Sequence, residues 1–202
     1  MKPELIGLDL DNTVIDYGPA YRVVAQTFGL DPSLVDRATI RSSLRHEDDD
    51  EQWQRFQASL YASGLDAALP AEGLLGFLEE CTRQRIDVFL VSHKTSTTPL
   101  RFGGEDLRGP ALRWLVSNGI VPRFVREENV NFCATRAEKI ARIDQLGCQV
   151  FVDDLQEVLM DPAFPATVLK FWYSGDSTGQ VPVTGEPRAM DFPSLTAWLQ
   201  AC

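Results

Sequence analysis

Leu5-Ile6-Gly7-Leu8-Asp9-Leu10-Asp11-Asn12-Thr13 is the stretch on which the reading of this chain turns. A short apolar run reads as a buried strand, here over 5–10, and it ends in two carboxylates one residue apart. Side chains alternate faces along a strand, so Asp9 and Asp11 are expected to point the same way. Two carboxylates that close repel each other unless a cation or a shared proton relieves them. The pair suggests a divalent metal, a nucleophile with an acid/base partner, or both. A strand followed by an Asp-Asn turn is the plainer alternative. Nothing inside the stretch chooses between them.

Working outward, the segment after Thr13 turns helical. Tyr21, Val24 and Phe28 follow helical spacing, and Gly29 is placed to end that helix. Asp31-Pro32 reads as an N-cap and first-turn proline of a second helix running to about Arg45. A third starts in the acidic run 47–51 and carries Trp53, Phe56 and Leu60 on one face. Acidic residues in a first turn suit the helix dipole, so that run is not read as a metal site. Arg22, Arg37, Arg41 and Arg45 read as solvated helix charges, and Trp53, Phe56 and Leu60 as packing.

Beyond Pro70 the pattern alternates. A helix is expected over 71–84, a buried strand over 86–91, a loop over 96–109 and a helix near 110–118. A strand follows near 129–133. Thr135-Arg136-Ala137-Glu138 reads as a capping box opening the next helix. Strands are expected over 148–152 and 168–173, and a terminal helix over 193–200. This order predicts an α/β fold: a Rossmann-like parallel sheet sandwiched by helices, with a small all-helical cap inserted after the first strand. The expected boundaries are 1–16 and 71–202 for the core and 17–70 for the cap. Ligands of open α/β sheets sit outside the carboxyl ends of the strands, so the insertion is expected to lie over the site.

The bulk properties fit that picture. A chain of 202 residues with 44% hydrophobic and 24% charged residues can bury a core unaided. Its formal net charge of −10, with no Lys/Arg cluster, argues against nucleic acid and anionic membrane surfaces as partners. Cys81, Cys133, Cys148 and Cys202 form no C-x-x-C pair and read as reduced thiols, Cys148 as structural. No signal-peptide apolar run and no membrane-length run is evident, so a soluble cytoplasmic protein is the expectation. Oligomeric state is not readable.

Three expected strands end in polar groups: Asp9 and Asp11, then Ser92, then Asp153 and Asp154. Lys139 stands near the start of the helix before the last of these strands. In one parallel sheet all can face a single crevice. The set suits phosphoryl transfer. Carboxylates hold Mg²⁺, which prefers oxygen ligands. A carboxylate can attack phosphorus to give an aspartyl-phosphate. A hydroxyl and an ammonium can stabilise the transferring oxygens, and a second carboxyl can protonate the leaving group and then activate water.

In this order Asp9-Leu10-Asp11-Asn12-Thr13, Ser92, Lys139 and Asp153-Asp154 resemble the four motifs of the haloacid dehalogenase (HAD) superfamily. The resemblance covers nearly the whole chain, with 17–70 in the position of that family's helical C1-type cap. It implies that Asp9 is the nucleophile and a Mg²⁺ ligand. Asp11 resembles the general acid/base that also offers its backbone carbonyl to Mg²⁺. Ser92 resembles the phosphoryl-binding hydroxyl and Lys139 the cation bridging nucleophile and phosphate. Asp153 resembles the direct acidic metal ligand, and Asp154 one held through water or assisting. Dehalogenating members need no acid at the Asp11 position, so the likeness is to the phosphatase branch. Its implied activity is Mg²⁺-dependent hydrolysis of a small phosphorylated metabolite. A phosphomutase, or a non-catalytic binding protein on the same fold, stays open as an alternative. His93 and Lys94 follow Ser92 directly and are read as substrate contacts, against the alternative of a solvent-facing loop. A receiver domain is set aside because the acidic groups come in a different order. A P-loop kinase is excluded for want of G-x-x-x-x-G-K-[ST].

Overall fold

The computed structural model of the protein describes residues 2–31, 33, 37–45, 50–174 and 187–202. Pro32 and Glu47–Asp49, from the expected second-helix start and the acidic run, lie outside those residues. In chain order the first elements are β1 (Leu5–Leu8), β2 (Ile15–Asp16), α1 (Gly18–Thr27), α2 (Arg37–Leu44), α3 (Glu51–Tyr61), β3 (Leu69–Pro70), α4 (Leu74–Gln84) and β4 (Asp87–His93). They are followed by α5 (Arg108–Ser117), β5 (Val130–Cys133), α6 (Arg136–Gln145), β6 (Val150–Asp153), α7 (Gln156–Leu159), β7 (Leu169–Tyr173), β8 (Arg188–Met190) and α8 (Phe192–Gln200).

The chain divides into two compact units. One comprises Met1–Ile15, Pro70–Lys94 and Leu115–Cys202. The other comprises Asp16–Leu69 and Thr95–Trp114.

The first unit is built on a six-stranded sheet in the order β5-β4-β1-β6-β7-β8, with every pairing parallel. This is the α/β parallel sheet flanked by helices that the alternating pattern predicts. β1 is central, and Ile6 and Leu8 are fully buried. That is why the strand reads as an unbroken apolar run rather than an alternating one. The chain steps from β1 outward to β4 and β5, then crosses back to β6 and outward to β8. Right-handed crossovers in opposite directions put the connecting helices on opposite faces. One face is closed by α6 and α7, through Ile140, Ile143, Val158 and Leu159 against Phe151. On the other, α4 and α8 pack together, with the Phe77 and Phe192 rings 5.3 Å apart.

In the second unit, Trp53, Phe56 and Leu60 of α3 are buried. Phe56 stacks on Tyr21 at 5.9 Å and on Trp53 at 5.7 Å. Arg41 lies over the Trp53 ring at 5.9 Å, and Arg45 pairs with Asp50. The segment Thr95–Trp114 joins this unit through Trp114, whose indole N–H donates to Ala68 O at 3.1 Å.

Several boundaries differ from the sequence reading, each for a local reason. α4 begins at Leu74 because Gly73 takes a left-handed φ of 77°. β1 stops at Leu8 because the backbone turns at Asp11–Thr13, with Val14 and Ile15 N–H both donating to Leu10 O. A one-turn helix (α7) and a three-residue strand (β8) are too short to leave a period in the sequence. Cys81, Cys133 and Cys148 are buried free thiols, and burial pushes Cys148 up to about 12. Among the described residues, no helix is long and apolar enough to cross a membrane.

Candidate active site

The strand order reverses direction between β1 and β6, and in open α/β sheets the ligand crevice forms at such a reversal. Asp9 follows the last residue of β1, and Asp153 is the last residue of β6. The Asp9 N–H donates to Val152 O at 2.9 Å, which locks the two strand ends together.

Asp9 and Asp11 are not held by strand alternation, because β1 has already ended. Asp11 lies within the turn that follows the strand. Asn12 sits at φ 61°, a left-handed conformation that Asn tolerates better than most residues. The two carboxylates then meet different cations. Asp9 Oδ1 accepts from Lys139 Nζ at 2.5 Å, whereas Asp11 Oδ2 lies 2.8 Å from Lys94 Nζ.

Lys139 is delivered by the first turns of α6. Thr135 caps that helix, its hydroxyl accepting from Glu138 N at 3.1 Å, and the Glu138 carboxylate reaches back to Ala134 N at 2.8 Å. The reciprocal arrangement fixes where α6 starts, and so where Lys139 stands. The Lys139 side chain is 2% exposed; its ammonium also donates to Asp153 Oδ2 at 2.6 Å and sits 5.5 Å from the Phe151 ring centre.

Asp153 is fully buried, and its second oxygen accepts from Leu155 N at 2.9 Å. Asp154 is half-buried. Its backbone is held from two sides: its N–H donates to Thr13 Oγ1 at 3.1 Å, and its carbonyl accepts from Trp172 Nε1 at 3.0 Å. One carboxylate oxygen from each of Asp9, Asp153 and Asp154 lies within 4.8 Å of the others. The Asp11 carboxylate is not in that group.

Ser92 and His93 close β4, on the other side of β1, and Lys94 follows directly. Register Leu8↔Leu90 brings them to the same sheet end as Asp9. Alternation separates their fates: Ser92 and Lys94 are buried, while His93 is exposed and its Nε2 donates to Ala134 O at 3.1 Å.

Burial pushes the Asp9 carboxyl well above the usual carboxylate range, and the charges of Asp153, Asp154 and Asp11 push the same way. Lys139 is the one neighbour pulling it back. Burial works to lower the Lys139 ammonium, yet attraction to Asp9 and Asp153 raises it above an ordinary lysine. By formal charge alone, Asp9, Asp11, Asp153 and Asp154 count four negative against two positive on Lys139 and Lys94. The two charges left over among these six groups, and an all-oxygen donor set, fit one hard divalent cation such as Mg²⁺. Asp9, Asp153 and Asp154 are the residues whose side chains would hold it.

Thr13, Trp172 and the Lys94–Asp11 pair are the parts of this site that sequence reasoning missed. Thr13 closes the opening motif, and a hydroxyl there was a usable signal. Trp172 lies beside Asp153 in the register of β7 on β6, which only the sheet order reveals.

Neither a protein-family model nor a curated protein matches this chain. Solved structures do. Protein tyrosine kinase A (PtkA) of Mycobacterium tuberculosis superposes with a TM-score of 0.62 at 18% identity, over 98% of each chain. A HAD-superfamily hydrolase of Ehrlichia chaffeensis gives 0.60 at 14% identity, over 99% of this chain and 97% of that one. A predicted phosphatase from Clostridium acetobutylicum gives 0.66 at 10% identity, over 100% of both chains. At such identities the likeness speaks for the fold, and the chain has the HAD-like fold.

Proposed function

We propose that the protein is a HAD-type hydrolase that removes phosphate from a small phosphorylated metabolite in the cytoplasm, with Mg²⁺ bound. The observation that carries this reading is the Asp9–Lys139–Asp153 cluster at the reversal of the sheet. The HAD-like fold and its hydrolase and phosphatase neighbours support it.

In this reading Asp9 attacks phosphorus through a carboxylate oxygen and forms an aspartyl-phosphate. Asp11 gives a proton to the departing ester oxygen and then takes one from the attacking water. Lys139 orients Asp9 and neutralises charge on the transferring oxygens, and the Ser92 hydroxyl binds one of those oxygens. A bound Mg²⁺ would supply the positive charge that lets an anionic carboxylate approach an anionic phosphate. Asp9, Asp153 and Asp154 would hold it by side-chain oxygens, and Asp11 by its backbone carbonyl. The acidic surface charge favours a small substrate over nucleic acid or membrane.

The test is turnover of sugar phosphates, nucleotides and phospho-acids with Mg²⁺, by the wild type and by Asp9→Asn. Activity that falls by about 10³-fold or more in the variant supports the reading, since nucleophile loss disables the whole unit. Inactivity of the wild type across the panel despite bound Mg²⁺ favours a binding protein. Phosphate appearing on a second hydroxyl of the same sugar favours a mutase.

A further inference from the structure

We infer that Lys94 is a positioning residue for the acid/base: it holds the Asp11 carboxylate in the orientation from which a proton is passed. This rests on the phosphatase reading above and assigns Lys94 a different task from substrate contact.

The geometry is specific. Lys94 follows the last residue of β4, and its backbone N–H donates to Cys133 O at 3.0 Å, so the residue is tied to β5. Its side chain is 3% exposed and ends 2.8 Å from Asp11 Oδ2. Asp11 itself is carried by the left-handed turn at Asn12. Both residues lie just past the ends of adjacent strands in fixed register, β1 and β4. Burying an ammonium and freezing a four-carbon side chain is costly unless the pair has a use or a strong partner. A plain structural ion pair would serve equally well with its carboxylate anywhere at this end of the sheet. Here the partner is the one carboxylate outside the Asp9–Asp153–Asp154 group, at the position where a proton must be exchanged.

The chemistry that needs positioning is balanced over two half-reactions. In the first, the Asp9 oxygen–phosphorus bond forms, the phosphorus–ester oxygen bond breaks, and the Asp11 proton goes to that oxygen. In the second, a water oxygen bonds phosphorus, the Asp9–phosphorus bond breaks, and the water proton goes to Asp11. Asp11 must face the leaving oxygen and then the water from one place, and a carboxylate pinned by a buried ammonium has one place to be.

Leaving-group dependence tests this. Phenyl phosphate needs its departing oxygen protonated, whereas 2,4-dinitrophenyl phosphate leaves as a stable anion. kcat/KM reports the first half-reaction, in which Asp11 acts only as acid. For Lys94→Met with Mg²⁺, kcat/KM on phenyl phosphate is expected to fall by about 10²-fold or more, the usual weight of a placed acid. On 2,4-dinitrophenyl phosphate the fall is expected to be smaller by at least roughly tenfold, and Asp11→Asn should show the same split. Lys94→Arg, which keeps the charge, should recover part of the phenyl phosphate rate. Equal losses on both esters, or no loss, overturn the positioning role while leaving the phosphatase reading intact. If Lys94→Met does not fold, Lys94→Gln takes its place: a leaving-group split supports the role, and equal losses or none overturn it. A wild type inactive on both esters removes the phosphatase reading, and this inference with it.

Discussion

Lys139 Nζ lies 2.5 Å from Asp9 Oδ1 across 130 residues of sequence. That contact ties the first strand end to the helix that enters β6. It carries two consequences that pull apart: the ammonium makes a buried Asp9 carboxylate tolerable, and it makes the carboxylate cluster dependent on one side chain.

Lys139→Met is therefore expected to be costly in both respects. Removing the ammonium leaves Asp9 and Asp153 buried without it. Breaking a buried pair from one side typically costs about 3–5 kcal/mol. Urea denaturation should show a loss of that order, and phosphatase activity should vanish with it. The double variant Lys139→Met with Asp9→Asn should recover part of the stability but none of the activity, because one stranded charge has gone. A single variant as stable as the wild type would contradict the burial argument.

Divalent cation should stabilise the wild type in the absence of any substrate. At a Mg²⁺ concentration 100 times the Kd, the gain is about 2.7 kcal/mol by mass action. A thermal melt reads it directly as a rise in Tm. Asp153→Asn and Asp154→Asn should each shrink that rise, because each removes a carboxylate from the group of three. If both variants keep the full Mg²⁺ shift, the cation binds elsewhere.

The sequence showed the fold and the outline of the site for different reasons. Buried parallel strands are continuous apolar runs, so β1, β4 and β6 stood out, and their polar ends named Asp9, Ser92 and Asp153. The Thr135–Glu138 capping box located α6 and so Lys139. What stayed hidden depends on the third dimension. Asp11 sits in the turn after β1 and pairs with Lys94, and no spacing rule foretells the left-handed Asn12 that follows it. Trp172 reaches the Asp154 carbonyl only because β7 lies beside β6. Thr95–Trp114 groups with Asp16–Leu69 through contacts such as Trp114 to Ala68, which local composition does not encode.

Acid should expose a second carboxylate, far in sequence from the site. Arg83 donates to Glu80 from Nε at 2.9 Å and from Nη2 at 2.5 Å, and Gln84 adds a third bond at 2.5 Å. These bonds, Arg83 first, hold the Glu80 carboxyl down at about 2, against an ordinary 4.5. A depressed folded-state value means the stabilisation is present above 4.5 and drains away as pH falls from there to about 2. Glu80→Gln should therefore melt below the wild type at neutral pH. The gap should close through that acid window. A gap that stayed constant with pH would assign the effect to packing instead of charge.

Gly7 offers the most direct link between the sheet's packing and the site. A Cβ added there would stand 2.5 Å from Phe151 Cδ2, 2.8 Å from Cε2 and 3.0 Å from Cys148 Sγ. Gly7 and Phe151 are register partners on β1 and β6, and the ring is fully buried, so it has little room to yield. Overpacking of this kind costs about 1–3 kcal/mol. The same ring lies under Lys139, 5.5 Å from its ammonium, so a displaced Phe151 displaces the cation that meets Asp9 and Asp153. Gly7→Ala should lower the urea midpoint and also reduce kcat by roughly 10–100-fold, the toll of misplacing a reacting group by about 1 Å. Retained stability with retained kcat would show that β1 and β6 can part without moving Lys139. A stability loss with unchanged kcat would show that the ring yields away from the ammonium.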